Sequence, residues 1–262
     1  MDLGIAGRTA ICAGASRGMG RAAALALARE GVNIVLSARG EARLAAAAAE
    51  IAAATGVAVT PVAADHATPA GRAALHAACP APDILVITCS PPAMTPDFRD
   101  IALADWQASL DTSFLAPVEL MRLFMDGMVE RRFGRIVNIA TVAAKLPSVP
   151  RLLSGPSRSA LHNYAVAVAK AVAKDNVILN TLLPGMFLTE TLTDRLAADA
   201  AARGVAYEDE RDRYVARFRV PAGRFGEPED IGALAAMLCS RFAGYVVGQS
   251  LVVDGGLVNS LY

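Results

Sequence analysis

The chain has 262 residues, and its 25 basic and 25 acidic side chains give a formal net charge of +0. This balance argues against a nucleic-acid-binding surface, and no apolar stretch is long and uninterrupted enough to predict a membrane span. The start, Met1–Gly4, lacks the basic and then apolar pattern of a signal peptide, so we expect a cytoplasmic protein. No linker or low-complexity segment divides the chain, and we expect a single domain over residues 1–262.

Composition favours a large buried core. The hydrophobic fraction is 54% and the charged fraction 19%, which suits a parallel sheet that is covered on both faces. The four cysteines lie in apolar surroundings and lack paired metal-ligand spacing: Cys12, Cys79, Cys89 and Cys239. We therefore expect small buried thiols in a reducing compartment, and no metal site.

The first forty residues predict a strand, a glycine-rich turn, a helix and a second strand. Thr9–Ala13 is an apolar run typical of a buried strand, and Asn33–Ala38 is another. Between them, Arg21–Glu30 carries alanine and leucine at helical spacing, and Gly31 ends that helix. This order predicts a βαβ unit.

Each glycine of the turn has its own expected task. Gly14 allows a tight turn, Gly18 lets the backbone approach a pyrophosphate, and Gly20 lets the helix pack closely on the strand. The helix N-terminus presents free N–H groups and its positive dipole end to the phosphates. The sequence therefore predicts a nucleotide-binding loop, which comprises Gly14, Ser16, Arg17, Gly18, Met19 and Gly20.

Strands and helices alternate along the rest of the chain. Further strands are predicted at Ala58–Val62, Asp83–Ile87, Arg135–Ala140, Val177–Leu182 and Ser250–Val253. Helices are predicted at Glu41–Thr55, Pro69–Ala78, Pro156–Lys174 and Pro228–Leu238, with a longer helical region, Leu103–Glu130, interrupted or bent near Pro117. This alternation predicts a Rossmann-type α/β fold, a doubly wound parallel sheet with helices on both faces. Ligands of such sheets bind beyond the carboxyl ends of the strands.

The segment from Thr189 to Val220 has mixed polarity and lacks clear strand or buried-helix character. We expect residues 189–220 to form a lid over the substrate. Its sequence does not indicate which substrate.

The residue after the second strand bears on the cofactor. Arg39 lies 19 residues beyond Gly20, where a cation accommodates a 2′-phosphate and an acidic residue would bind a ribose 2′-hydroxyl. Arg17 in the glycine loop offers a second cation, so NADP is predicted over NAD. Asp65 follows the third strand, where its carboxylate either meets the adenine amino group or caps a turn.

Several motifs together resemble one known family. They are AGASRGMG at residues 13–20, the aspartate of AAD at Asp65, Leu182–Gly185 followed by Thr189, Arg224–Pro228, Val247–Gln249 and Val253–Gly256. The chain resembles the short-chain dehydrogenase/reductase family nearly end to end, and within it the 3-oxoacyl reductases. The resemblance implies that Pro184, Gly185 and Thr189 meet the nicotinamide end of the cofactor. It also implies a homodimer or homotetramer paired through the long helices.

The chain departs from this family at its catalytic positions. The family's asparagine, serine, tyrosine and lysine correspond here to Ser113, Thr141, Ser154 and Arg158. Tyr164 is not the family tyrosine, because the residue four positions later is a valine. The predicted catalytic residues are therefore Thr141, Ser154 and Arg158.

A second departure follows the fourth strand. The family's NNAG is replaced by a segment that contains Cys89 and Ser90, which we still expect to flank the cofactor.

These departures leave the proton donor of carbonyl reduction open. A serine hydroxyl is far less acidic than a phenol, and arginine does not readily release a proton, although it can stabilise a developing alkoxide. The candidate donors are a water held by the predicted catalytic residues, His162, Lys145, or a lid tyrosine (Tyr207 or Tyr214). Spacing by four residues predicts that Ser154, Arg158 and His162 share one helix face.

The leading hypothesis is an NADP(H)-dependent oxidoreductase that acts on a small-molecule substrate, a ketone or a secondary alcohol. Two alternatives stay open. One is a non-redox reaction, such as an elimination or isomerisation, on the same fold. The other is a dinucleotide-binding protein without catalytic activity.

Overall fold

The computed structural model describes residues 1–258, and the predicted strands form one parallel sheet within them. Its seven strands are β1 (Thr9–Ala13), β2 (Asn33–Ala38), β3 (Val59–Ala63), β4 (Ile84–Thr88), β5 (Gly134–Ile139), β6 (Val177–Pro184) and β7 (Ser250–Val253). They are ordered β3-β2-β1-β4-β5-β6-β7, and every neighbouring pair is parallel. The order reverses between β1 and β4, where a doubly wound sheet opens a crevice for ligands.

Helices connect the strands. They are α1 (Gly18–Arg29), α2 (Glu41–Thr55), α3 (Pro69–Ala78), α4 (Leu103–Leu110), α5 (Ala116–Glu130), α6 (Ser154–Val172), α7 (Glu190–Arg203), α8 (Tyr207–Phe218) and α9 (Pro228–Cys239). Helix α2 ends at Gly56 as predicted, because this glycine takes the left-handed conformation at φ 75°. Pro69 begins α3, and the Thr68 side chain accepts a hydrogen bond from the Gly71 N–H.

Both faces of the sheet are covered. Alternate residues of β1 enter different cores: Ala10 and Cys12 join the core under α1, α2 and α9, whereas Ile11 and Ala13 join the core under α5 and α6. Because side chains alternate along a strand, this division requires helices on each side. The predicted Rossmann-type fold is confirmed.

The long helical region is interrupted where a break was expected. One π-helical turn, Asp111–Leu115, separates α4 from α5, and Pro117 lies in the first turn of α5. Proline has no N–H to donate and is tolerated near a helix start, so the break lies just before it.

Residues 189–220 are mostly helical, which the sequence pattern did not indicate. The segment folds into α7 and α8, which pack on each other through Leu196 and Tyr214. The Glu210 side chain is fully buried and forms ion pairs with Arg203 and Arg213. Sequence patterning missed these helices because their apolar stripe is narrow and a buried carboxylate replaces part of it.

Two further findings concern the described part of the chain. No helix within residues 1–258 is long and apolar enough to cross a membrane. All four cysteines are free thiols; three are buried as expected, but Cys89 is only half-buried.

Candidate active site

The loops that follow the strands meet in a cavity of about 550 Å³ at the carboxyl edge of the sheet. Several predicted cofactor residues line it: Gly14, Ser16, Arg17, Arg39, Asp65, Cys89 and Ser90. Because the cavity lies at the reversal point of the strand order, it has the position that dinucleotides take in such folds.

The glycine loop fits closely against β4. Gly14 has φ 74°, and a Cβ there would lie 2.1 Å from the carbonyl oxygen of Thr88. A Cβ at Gly20 would lie 2.6 Å from the Thr88 side chain. Larger residues would push the loop away, so these glycines keep the first turn of α1 close to the strands. Met19 packs against the core below the loop.

Most N–H groups at the start of α1 are open to a ligand. The residue before the helix, Arg17, makes no side-chain cap. The Gly18 N–H, however, donates a hydrogen bond to the Glu190 carboxylate at 3.3 Å. Glu190 begins α7, so this helix reaches the loop where phosphates are expected. Sequence reasoning did not identify Glu190, because its partner is 172 residues away.

Three arginines stand around the expected 2′-phosphate position. Arg17 and Arg39 were predicted, and Arg43 in the first turn of α2 also lines the cavity. All three are exposed, so they can turn towards an anionic group at little cost in desolvation. Arg43 lies four residues after Arg39, a spacing that could have drawn attention to it.

The residues after β3 offer hydrogen-bonding groups to the other end of the cavity. One oxygen of Asp65 accepts from the Ala67 N–H at 3.0 Å, which leaves its second oxygen open. Beside it, His66 Nε2 lies 2.9 Å from Ser37 Oγ, and that hydroxyl donates to the Val62 carbonyl. Burial lowers the pKa of His66 to about 4, so its ring is neutral near pH 7. His66 was not among the predicted site residues.

Ser154 and Arg158 form the best-defined polar contact near β4 and β5. Both are buried, with 3% exposure each, and Arg158 donates to Ser154 Oγ at 2.7 Å. The same guanidinium donates to the Cys89 carbonyl at 3.1 Å and contacts Cys89 Sγ at 3.5 Å. Arg158 therefore joins the start of α6 to the loop after β4. Within residues 1–258 its Nε–H has no hydrogen-bond partner.

The residues at the two other family positions make fewer side-chain hydrogen bonds than Arg158. Thr141 follows β5, and its hydroxyl accepts from the Ala143 N–H at 3.3 Å to cap a short 3₁₀ turn. The Ser113 hydroxyl, in the π-helical turn, is buried and has no partner among the described residues. Tyr164 packs edge-to-face on Phe114.

Ser154, Arg158 and His162 lie four residues apart on α6, which begins at Ser154, but their side chains reach different partners. Arg158 reaches β4, whereas His162 Nδ1 contacts Ser250 Oγ on β7, and strands β5 and β6 lie between. Burial, and next the charge of Lys145, lower the pKa of His162. The side chains diverge because positions four apart differ by about 40° around a helix.

The other proton-donor candidates differ in their surroundings. Lys145 is exposed just after the 3₁₀ turn that follows β5. The Tyr214 hydroxyl donates to Asp199 at 2.6 Å inside the lid, and this hydrogen bond raises its pKa. Tyr207 is half-buried in the same cluster.

The motif after β6 does not line the 550 Å³ cavity, but it lies near the glycine loop and the end of β7. Pro184 ends β6, and the Gly185 N–H donates to the Val253 carbonyl at 2.9 Å. A Cβ at Gly185 would lie 2.6 Å from Asp254 Cβ, so this turn also needs glycine. A Cβ at Gly18 would stand 3.5 Å from the Thr189 methyl group, which places Thr189 beside the glycine loop.

Comparison with known proteins shows the family to which the chain belongs. A family model described as enoyl-(acyl carrier protein) reductase matches residues 14–258. The chain belongs to the short-chain dehydrogenase/reductase family, and it is similar to the family's 3-oxoacyl reductases.

Three relatives illustrate the likeness. L-sorbose reductase from Gluconobacter frateurii, solved with NADPH and L-sorbose, has a TM-score of 0.94 and 32% identity over 100% of both chains. A 3-oxoacyl-(acyl-carrier-protein) reductase from Agrobacterium tumefaciens C58, with NADP bound, has a TM-score of 0.87 and 29% identity over 97% of this chain and 96% of that one. Gluconate 5-dehydrogenase from Gluconobacter oxydans is 31% identical over 98% of this chain and 97% of its own. The predicted cofactor, NADP, is the one held by the two structures.

Proposed function

We propose that this protein is an NADP(H)-dependent oxidoreductase that interconverts a ketone and a secondary alcohol. The observation that carries the proposal is the buried contact between Arg158 and Ser154, since the same guanidinium donates to the Cys89 carbonyl in the loop after β4. The cofactors of its structural neighbours support the same reading.

The described residues fit NADP(H). The glycines at positions 14 and 20 leave room for no side chain, and the start of α1 offers N–H groups to phosphates. Arg17, Arg39 and Arg43 supply positive charge for a 2′-phosphate, and the motif of Gly185 and Thr189 lies near the glycine loop. The bound cofactor supplies or accepts the hydride at the carbonyl carbon.

Ser154 is proposed to hold the carbonyl oxygen. Its Oγ accepts from Arg158, so its own proton is free for an acceptor outside the protein. The guanidinium keeps its charge and stabilises the oxygen as negative charge develops on it. Because neither group gives up a proton readily near pH 7, the proton that completes the alcohol comes from water. Thr141 is proposed to contact the same oxygen from the end of β5.

We further propose a single domain in which α7 and α8 form the substrate lid. The cytoplasmic location and the homodimer or homotetramer stay predictions from the sequence.

The test is consumption of NADPH by the purified protein with a panel of ketones, compared with Ser154→Ala and Arg158→Met. We expect turnover in the parent and a loss of about 10²-fold in Arg158→Met, as for removal of an oxyanion-stabilising donor. Turnover without change in the cofactor's redox state would favour a non-redox reaction. Tight NADPH binding without turnover of any ketone would favour a non-catalytic binding protein.

A further inference from the structure

The ring of His66, in the loop after β3, is held by a contact with β2. Its Nε2 lies 2.9 Å from Ser37 Oγ. Ser37 is fully buried, and its hydroxyl donates to the Val62 carbonyl at 2.8 Å. Because a hydroxyl has one proton and a carbonyl can only accept, the contact between His66 and Ser37 requires a proton on Nε2. The two neighbouring strands thus fix which ring nitrogen is protonated.

The other ring nitrogen of His66 is open to a ligand. Burial lowers the pKa of His66 to about 4 against the opposing charge of Asp65, and the charges of two arginines, Arg39 and Arg72, lower it further. Near pH 7 the ring is therefore neutral, and the proton on Nε2 leaves a lone pair on Nδ1. Within residues 1–258, Nδ1 has no hydrogen-bond partner, and it is not one of the buried polar atoms that lack a partner. It is thus an accessible acceptor.

The backbone that carries His66 is also fixed. The Arg72 side chain donates to the His66 carbonyl at 2.8 Å. The Thr68 hydroxyl donates to the Asp65 carbonyl at 2.9 Å, and a Cβ at Gly71 would lie 2.0 Å from that same oxygen. Helix α3 therefore packs directly on the loop. An acceptor that is held in place before binding loses little conformational entropy when a ligand arrives, which favours affinity and selectivity.

Asp65 places a second acceptor in the same part of the molecule. Both Asp65 and His66 line the 550 Å³ cavity beyond the end of β3. One Asp65 oxygen accepts from the Ala67 N–H, and the second oxygen is open. Carboxylate oxygens and an unprotonated ring nitrogen accept hydrogen bonds but donate none. This part of the cavity therefore suits a ligand group that donates hydrogen bonds and disfavours one that presents lone pairs.

We propose that His66 Nδ1 determines the base specificity of the cofactor site by accepting a hydrogen bond from the amino group of adenine. That group is a donor, whereas a 6-oxopurine such as hypoxanthine carries an acceptor oxygen at the same position. The sequence pointed only to Asp65 for this amino group, and His66 adds a second acceptor that opposes the oxygen of a 6-oxopurine. The inference rests on NADP as the cofactor, and it goes beyond the proposed reaction because it concerns the base.

The test is a fluorescence titration of the protein with NADPH and, in parallel, with the reduced form of nicotinamide hypoxanthine dinucleotide phosphate. We expect the parent to bind NADPH at least about tenfold more tightly than the hypoxanthine analogue, because the oxygen would leave both acceptors without a donor. The ratio of the two dissociation constants is measured within each variant, so a change in the folded fraction does not alter it.

Two substitutions separate the two nitrogens of His66. His66→Gln keeps an N–H that can reach Ser37 but has no acceptor at the position of Nδ1, so the ratio should fall about fivefold or more. His66→Asn keeps an acceptor near the position of Nδ1 and loses the contact with Ser37, so most of the preference for adenine should remain. His76→Gln is the matched control, because His76 is exposed on α3 and does not line the cavity; its ratio should equal that of the parent.

The possible results separate this inference from the proposed reaction. Equal binding of the two dinucleotides to the parent, or an unchanged ratio in His66→Gln, would overturn the inference and leave the proposed function standing. A ratio that is kept in His66→Gln but lost in His66→Asn would assign His66 a structural role through Ser37 and would also overturn the inference. A preference that depends on His66, without turnover of any ketone, would support the inference and overturn the redox function. Binding of neither dinucleotide would overturn both.

Discussion

The Glu190 carboxylate lies against the N-terminus of α1, and there it is expected to compete with the cofactor's phosphates. Its hydrogen bond from the Gly18 N–H is the one contact that a phosphate oxygen would replace. Glu190→Gln keeps the shape of the side chain but removes its charge. A carboxylate at an exposed helix N-terminus stabilises the helix by about 0.3–1 kcal/mol. The unliganded variant should therefore unfold at lower temperature, with a stability loss of about 0.3–1 kcal/mol.

The same attraction between the Glu190 carboxylate and the N-terminus of α1 should weaken cofactor binding. Removing the competing charge should raise NADPH affinity about two- to fivefold, and the gain should shrink at high salt because exposed charges are screened. The measurement pairs thermal unfolding of the unliganded protein with a fluorescence titration of NADPH. Asp194→Asn is the matched control. Asp194 and Glu190 both line a second, smaller cavity beside the glycine loop, but Asp194 makes no hydrogen bond to that loop. A variant that binds NADPH more weakly than the parent would refute the reasoning.

Three further predictions concern the cofactor cavity. Arg39→Ala should lower NADPH affinity about tenfold or more while leaving NADH affinity unchanged, because one charge-assisted hydrogen bond of about 1.5–3 kcal/mol is lost. Parallel titrations with NADPH and NADH measure both affinities. Since the pKa of His66 falls from 6.5 to about 4, the unfolded chain binds a proton between those pH values that the folded chain does not. Stability should therefore fall as the pH drops through this window, by on the order of 3 kcal/mol, and His66→Gln should flatten that slope in denaturant titrations. Gly14→Ala should destabilise by several kcal/mol or prevent folding, since its Cβ would meet the Thr88 carbonyl at 2.1 Å. Gly40→Ala, whose Cβ would meet nothing within 4 Å, is the control and should unfold like the parent.

The sheet could be predicted because each strand is a short apolar run bounded by turn residues. The predicted bounds of β1, β2 and β7 coincide with the observed ones. The helices α7 and α8 of the proposed lid could not be predicted in the same way. In α8 the buried side chains are Glu210 and Tyr214, so charge rather than an apolar stripe marks the face that packs inward. Ion pairs between α7 and α8 depend on contacts that periodicity does not reveal.

Spacing along the chain identified residues of the candidate site only where the connections between strands and helices have regular lengths. Arg17 and Arg39 were found because loops after the first two strands have typical lengths, and both residues line the cavity. Glu190 was missed, because its contact with Gly18 joins the first βα loop to the lid. The neutral state of His66 depends on burial beside Ser37, which sequence alone does not provide.

The buried contacts among Ser154, Arg158 and Cys89 suit the roles proposed for the serine and the arginine. A planar guanidinium with several donors spans from α6 to the loop after β4, whereas a lysine ammonium would act as one point charge. The small serine leaves space for that guanidinium, and the hydrogen bond from Arg158 does not use the serine's own hydroxyl proton. Such a pair can orient a carbonyl oxygen and stabilise its negative charge, but it holds no acid that ionises near neutral pH. In the proposed reaction, solvent access to that oxygen is therefore required, because water supplies the proton.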